Sequence, residues 1–174
     1  MISDFRICQT RLGVKIHGEK DPSSDLGPMF QQVVGTIFSL MEYYDEYWLK
    51  SIESKEVEFY GEVQSEEPPA FNINTTSLIE YFRLGYTNFA TLWKENIDEA
   101  DFKIIEKLFS QAEEEPFLIP TDTWVRIVYR YAILFHNTQR QRFKIVNTMI
   151  PLYYARVATI VALLADKDYH DAET

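Results

Sequence analysis

Phe30, Val34, Ile37, Met41, Tyr44 and Trp48 recur at intervals of three and four residues, and Leu78, Phe82, Tyr86, Phe89 and Trp93 repeat the pattern further on. Such spacing puts apolar side chains on one face of a helix and cannot be read as a strand, whose faces alternate every second residue. Two long helices, over about 28–50 and 77–95, therefore dominate what this chain can become. Pro28 suits a first helical turn, where its missing N–H costs nothing. Ser77 and Glu80 have the spacing of a capping box.

The rest of the chain extends the same architecture. Asp98 can cap a shorter helix carrying Phe102, Ile105, Leu108 and Phe109. Pro116 and Pro120 break EEEPFLIPTD. Trp124, Val128, Tyr131 and Phe135 mark a helix over 121–137, and Ile145, Met149, Leu152, Ile160 and Leu164 mark another over 141–165. Pro151 lies within that last helix and is expected to kink or divide it. Only 6 of the 174 residues are glycine, too few for a turn-rich β fold. The fold class expected is all-α, a bundle of five or six helices. FRICQTRL (5–12) reads as the tail of a helix, GVKIH (13–17) as a short strand, and 51–75 as an acidic connection, either with a second short strand near VEFYG or as a disordered solvated loop. The tail from 167 onward is polar, and no internal repeat is present.

A formal charge of −10 gives no electrostatic reason to seek phosphate backbones or anionic lipid, so nucleic-acid and membrane-surface roles are not expected. No apolar run is read as long enough to span a bilayer. The N-terminus lacks the apolar core of a signal peptide, and Cys8 is the only cysteine, so a cytoplasmic location is expected.

Motifs that carry chemistry are sparse. His17, His136 and His170 show no ligand spacing, and neither a P-loop nor a G-x-G-x-x-G is present. Asp166-Lys167-Asp168 has the Asp-x-Asp form but sits in the polar tail. His136 closes WVRIVYRYAILFH, where a cation meets the negative end of the helix dipole. By spacing alone His17 is an ordinary loop residue.

Three stretches, FRICQTRLGVKIHGEKDPSSDLGPMFQQVVGT, TWVRIVYRYAILFH and MIPLYYARVATIV, resemble in order the later part of retaining GT-A-type glycosyltransferases of the glucosyl-3-phosphoglycerate synthase and mannosylglycerate synthase group. The resemblance implies a metal-dependent retaining transferase using a nucleotide diphosphate sugar and a small polar acceptor of the glycerate or phosphoglycerate type. It makes His17 a ligand of a divalent ion, Mg²⁺ or Mn²⁺, that would stabilise the departing diphosphate. It places Lys20, Asp25, Gly27 and Met29 at the substrate, within a loop GEKDPSSD and the helix start after it. The family's basic, Asn-containing version of that loop is not matched, so the resemblance does not carry a phosphorylated acceptor over to this chain. Arg156, His136 and Tyr153 match recurring positions, with Arg156 expected to bond a helix-end carbonyl or a carboxylate.

The resemblance divides the chain into residues 1–24, the end of a nucleotide-sugar-binding α/β domain, 25–166, a helical C-terminal domain, and 167–174, a tail. The family's nucleotide-binding half and its Asp-x-Asp carboxylates have no counterpart here. The chain by itself is then expected to lack activity and to bind no metal. It would be a fragment, a subunit of a split transferase, or a helical module reused for interaction or oligomerisation. Phe5, Ile7, Leu12, Val14 and Ile16 would form an apolar patch, from which a homo-oligomer is expected.

Overall fold

The computed structural model describes residues 8–10, 22–50, 56–61, 73–112 and 115–165. Among them are six helices: α1 (Pro22–Tyr43), α2 (Asp45–Trp48), α3 (Thr75–Asn96), α4 (Glu99–Ser110), α5 (Thr121–Asn137) and α6 (Arg142–Leu164). The all-α expectation is met. Two short strands accompany the helices. β1 (Gln9–Thr10) and β2 (Phe59–Tyr60) pair in parallel, with Gln9 opposite Phe59 and Thr10 opposite Tyr60. The helix expected over 5–12 is therefore wrong at Gln9 and Thr10, which are extended and bonded to the second strand. That second strand falls where VEFYG placed it. GVKIH, the apolar patch residues Phe5, Ile7, Leu12, Val14 and Ile16, and the 167–174 tail lie outside the described residues.

Helix boundaries differ where two residues compete for the same role. α1 begins at Pro22, so the first-turn proline is Pro22, while Pro28 sits inside the helix on its exposed side. α1 stops at Tyr43, and the Trp48 indole N–H donates to Met41 O at 2.6 Å. α3 starts two residues before the expected box. Its cap is Asn74, whose side chain accepts from the Ser77 N–H at 3.1 Å. Asp98 stands at the start of α4 as expected but gives no side-chain cap, because its carboxylate holds Arg130 across the bundle.

α6 is the central helix and packs chiefly on α3, then on α1 and α5. It runs unbroken through Pro151. The Pro151 ring lies against Gly85 of α3 so closely that a Cβ on Gly85 would fall under 3.0 Å from both Pro151 Cβ and Cγ. Only glycine lets the two helices approach to this distance. Phe38, Phe82, Trp93, Ile105, Ile119, Ile127, Tyr131, Phe135, Val146, Met149 and Leu152 are buried around this axis. The inward face of α1 is Phe30, Val34, Phe38 and Met41, not the row through Ile37 and Trp48. α6 is also the one helix among the described residues long and apolar enough to cross a membrane, with a mean hydropathy of 1.3 over its best stretch. This corrects the reading that no run reached that length. Its inward side here carries Val146, Met149, Leu152, Ala155 and Ala158 into the bundle core.

Candidate functional site

His17 and Lys20 lie outside the described residues. Asp25 is in the first turn of α1, so Pro22–Asp25 is helix, where a loop through Asp25 was expected. A proline at the first helical position starts the turn early. Gly27 is buried, and a Cβ there would come within 3.2 Å of the Tyr154 hydroxyl and 3.7 Å of Ile150 Cγ2. Close packing of α1 on α6 is sufficient reason for this glycine. Met29 is exposed instead. Residues two apart on a helix point about 200° away from each other. Gly27 and Met29 therefore face different sides of α1. Among the described residues no three His, Cys, Asp or Glu side chains come together as a metal-holding group.

The recurring positions of the C-terminal half are placed in detail. Arg156 Nη1 donates to Ile119 O at 2.7 Å and Nη2 to Thr121 Oγ1 at 3.0 Å. The acceptors are neither the helix-end carbonyl nor the carboxylate that was expected, but the segment leading into α5 and its first hydroxyl. Thr159 Oγ1 accepts from the Ile119 N–H at 2.9 Å, so α6 holds the segment before α5 through two side chains. The Tyr153 ring stacks on Phe30, 4.4 Å between centroids, and burial pushes its hydroxyl pKa up. His136 Nδ1 lies 2.8 Å from Glu42 Oε1, and Arg142 pairs with the same oxygen. The Arg142 hydrogen bond, with His136 adding to it, holds the Glu42 carboxyl below its usual range. Arg142 also donates to Phe135 O at 3.0 Å and covers the Phe135 ring. A carboxylate held this way is a weak base, and His136 is 68 % exposed. The trio works as a clasp between the end of α1 and the α5–α6 corner.

Sequence reasoning missed Asp101, which is 1 % exposed. It accepts from Thr123 Oγ1 at 3.0 Å, Arg126 Nε at 2.7 Å and Arg126 Nη2 at 2.6 Å. The Arg126 hydrogen bond, more than any other influence, keeps its carboxyl below the usual range. All its partners are supplied by α5. The cluster is a satisfied structural ion pair joining α4 to α5, and nothing in sequence spacing could join positions so far apart.

What remains is a surface. Met29, Val33, Ile37 and Leu40 are 44 %, 50 %, 48 % and 49 % exposed, and together they form one outward row over three turns of α1. Tyr43, Tyr47, Trp48 and Leu49 continue it as exposed side chains beyond the helix end. Val125, Tyr129 and Ile133 make a second exposed row on α5. Single exposed apolar residues are ordinary, but rows on neighbouring turns are not. The sequence signal was present: α1 is apolar on both sides, and its polar residues are few. Between α3 and its surroundings lies a shallow groove of about 330 Å³, lined by Ser77, Glu80, Tyr81 and Leu84. No known protein family, curated protein or solved structure matches this chain.

Proposed function

We propose that this chain is a helical interaction module that presents the outward row of α1, continued through α2, to another protein. The observation that carries the reading is that row itself, four half-exposed apolar side chains in register followed by exposed aromatics. Tyrosine, tryptophan and methionine are the residues that enrich the cores of protein interfaces. Docking a helix there would remove Met29, Val33, Ile37 and Leu40 from water while leaving the core under Phe30 and Phe38 untouched. The test places a photo-crosslinking phenylalanine analogue at Val33, and in parallel at Lys107 on the exposed side of α4, in the native cell. A discrete adduct of one mass at Val33 but not at Lys107 is expected. Absence of any adduct at Val33, or the same adducts at both positions, overturns the reading.

A second reading rests on a different observation. β1 and β2 pair in parallel yet are exposed, whereas parallel strands belong to sheets covered on both faces. This supports the transferase expectation, in which residues 1–24, with β1 among them, are the remnant of an α/β domain and the chain is the C-terminal portion of a retaining glycosyltransferase. His17 would then ligate the divalent ion beside a nucleotide diphosphate sugar. Mg²⁺ or Mn²⁺ with a nucleotide sugar should raise the melting temperature by several degrees once a separate nucleotide-binding half is added. No shift in that mixture overturns this second reading.

A further inference from the structure

The outward edge of α1 and α2 carries a one-sided charge. From Pro22 to Lys50 the chain holds four acids, Asp25, Glu42, Asp45 and Glu46, against a single cation, Lys50, at its end. Glu42 is already neutralised by Arg142 and His136. Asp45 and Glu46 are exposed at the end of the row, and the described contact of Asp45 is with the neighbouring Glu46 N–H. Within α1 the exposed apolar positions Met29, Val33, Ile37 and Leu40 follow one another at spacings of four, four and three. That is the seam of a helix that packs side by side against another helix. From Met29 to Leu40 it extends about 17 Å at 1.5 Å per residue, enough for three turns of a partner.

We propose that this seam docks an amphipathic helix of a different protein, one whose apolar stripe is flanked by lysine or arginine. The inference rests on the interaction reading and adds the chemistry of the partner. Apolar anchors would fill the spaces between Val33, Ile37 and Leu40, and the basic flank would meet Asp45 and Glu46. A second copy of this chain offers the same edge, with one cation, Lys50, against four carboxylates. Like charges across an interface are penalised, and opposite charges speed encounter and fix register.

The test uses two labelled synthetic helices of roughly 20 residues, long enough to cover the seam. Both carry leucine at the seam positions. One has lysine at the flanks and the other glutamate. Fluorescence anisotropy with the whole chain should show the lysine peptide binding at least about tenfold more tightly, with the advantage shrinking as salt rises. Asp45→Lys with Glu46→Lys should reverse the preference, and those surface positions leave the fold intact. Ile37→Asp with Leu40→Asp should abolish binding of the lysine peptide. Equal affinity for the two peptides, or no reversal in the lysine variant, overturns the charge inference. It does so while a Val33 adduct in cells would still uphold the interaction reading. A wild-type dimer in sedimentation that Ile37→Asp with Leu40→Asp dissociates overturns it in favour of a second copy.

Discussion

Gly85→Ala tests the central packing contact directly. Alanine in place of glycine within a helix ordinarily gains about 1 kcal/mol. Against that gain stands the position of the new methyl, under 3.0 Å from both Pro151 Cβ and Cγ. Unstrained carbon contacts lie near 3.5–4.0 Å, so the pair falls short by more than about 0.5 Å. The atoms it meets belong to a ring fused to the backbone and cannot swing aside. α3 and α6 must separate instead, opening the seam under Phe82, Trp93, Met149 and Leu152. Overpacking of a well-filled core costs about 1–3 kcal/mol, and a backbone-fixed obstacle belongs at the upper end. The net expectation is a loss of about 2 kcal/mol, which for a chain of this size lowers the melting temperature by about 4–8 °C. Gly35→Ala is the matched control. Its methyl would also crowd an aromatic ring, nearest at Phe143 Cε1 and 2.7 Å from Cδ1, but Phe143 is half-exposed and, though packed edge-on against Phe135, gives way more easily than a ring fused to the backbone. That variant should stay within about 1 kcal/mol of wild type, since the helix gain offsets a displaced surface ring. Thermal melts followed by circular dichroism decide the matter. If Gly85→Ala melts at or above wild type, or if Gly35→Ala falls further than it does, the proline-against-glycine argument is refuted.

Three further outcomes follow from named contacts. Asp101→Asn should cost about 2 kcal/mol in urea unfolding, less than a fully buried pair because Arg126 is half-exposed. Asp101 is depressed in the folded state, so its contribution is full above its unfolded value near pH 4 and fades as pH falls through the folded value. The asparagine variant should lose that acid slope, and an unchanged slope would assign it to other carboxylates. Tyr131→Phe should cost about 1 kcal/mol, because Thr148 keeps its bond to Ile145 O after losing the phenol. Burial holds the Tyr131 phenol above the ordinary tyrosine range, so the variant should also remove the last tyrosine to ionise in an alkaline absorbance titration, at the pH of unfolding. Gln141, with φ of 60°, is left-handed just before α6, and Gln141→Gly should stabilise by up to about 1 kcal/mol. A destabilised glycine variant in the same urea assay would show that the Gln141 side chain matters more than its backbone.

The extents of α5 and α6 were legible. α5 has its expected bounds, and α6 differs from expectation by one residue at each end. Legibility failed where a helix is apolar nearly all round. In α1 the adjacent pairs Val33-Val34, Ile37-Phe38 and Leu40-Met41 each supply one side chain to the core and one to solvent. Spacing alone cannot say which member of each pair faces inward. The answer lies in Gly27 and Gly35, eight residues apart and so about 80° from each other around the helix, flanking one side of it. Both stand where α6 comes closest, at Tyr154 and Phe143. A glycine-marked face reads as the packed one, and by that rule Val34, Phe38 and Met41 go inward. Gly85 marks the packed face of α3 in the same way. The Asp101 cluster had no such local mark, since its partner Arg126 stands on another helix and long-range ion pairs leave no periodic trace.

The same reasoning bears on the start of α1, where Gly27 and Met29 were expected at the substrate. A helix start bearing Gly27 and Met29 invites comparison with a ligand-binding turn, because glycine is also what lets a backbone approach a ligand closely. Here the approach is made by the Tyr154 hydroxyl and the Ile150 side chain, so the glycine is accounted for by α6. Met29 then falls on the opposite side, first in the row that ends at Leu40. A helix with one glycine-marked apolar side and one outward apolar side has two faces to cover, and the bundle covers one. Burying half an aliphatic side chain contributes about 1 kcal/mol, so four such residues hold enough free energy to matter for docking but too little to drive misfolding of the bundle beneath. Under the proposed docking, Asp45 and Glu46 restrict which helices can use that energy. An apolar stripe without cations would leave Asp45 and Glu46 partly desolvated and unpaired, which costs more than such a small apolar gain returns.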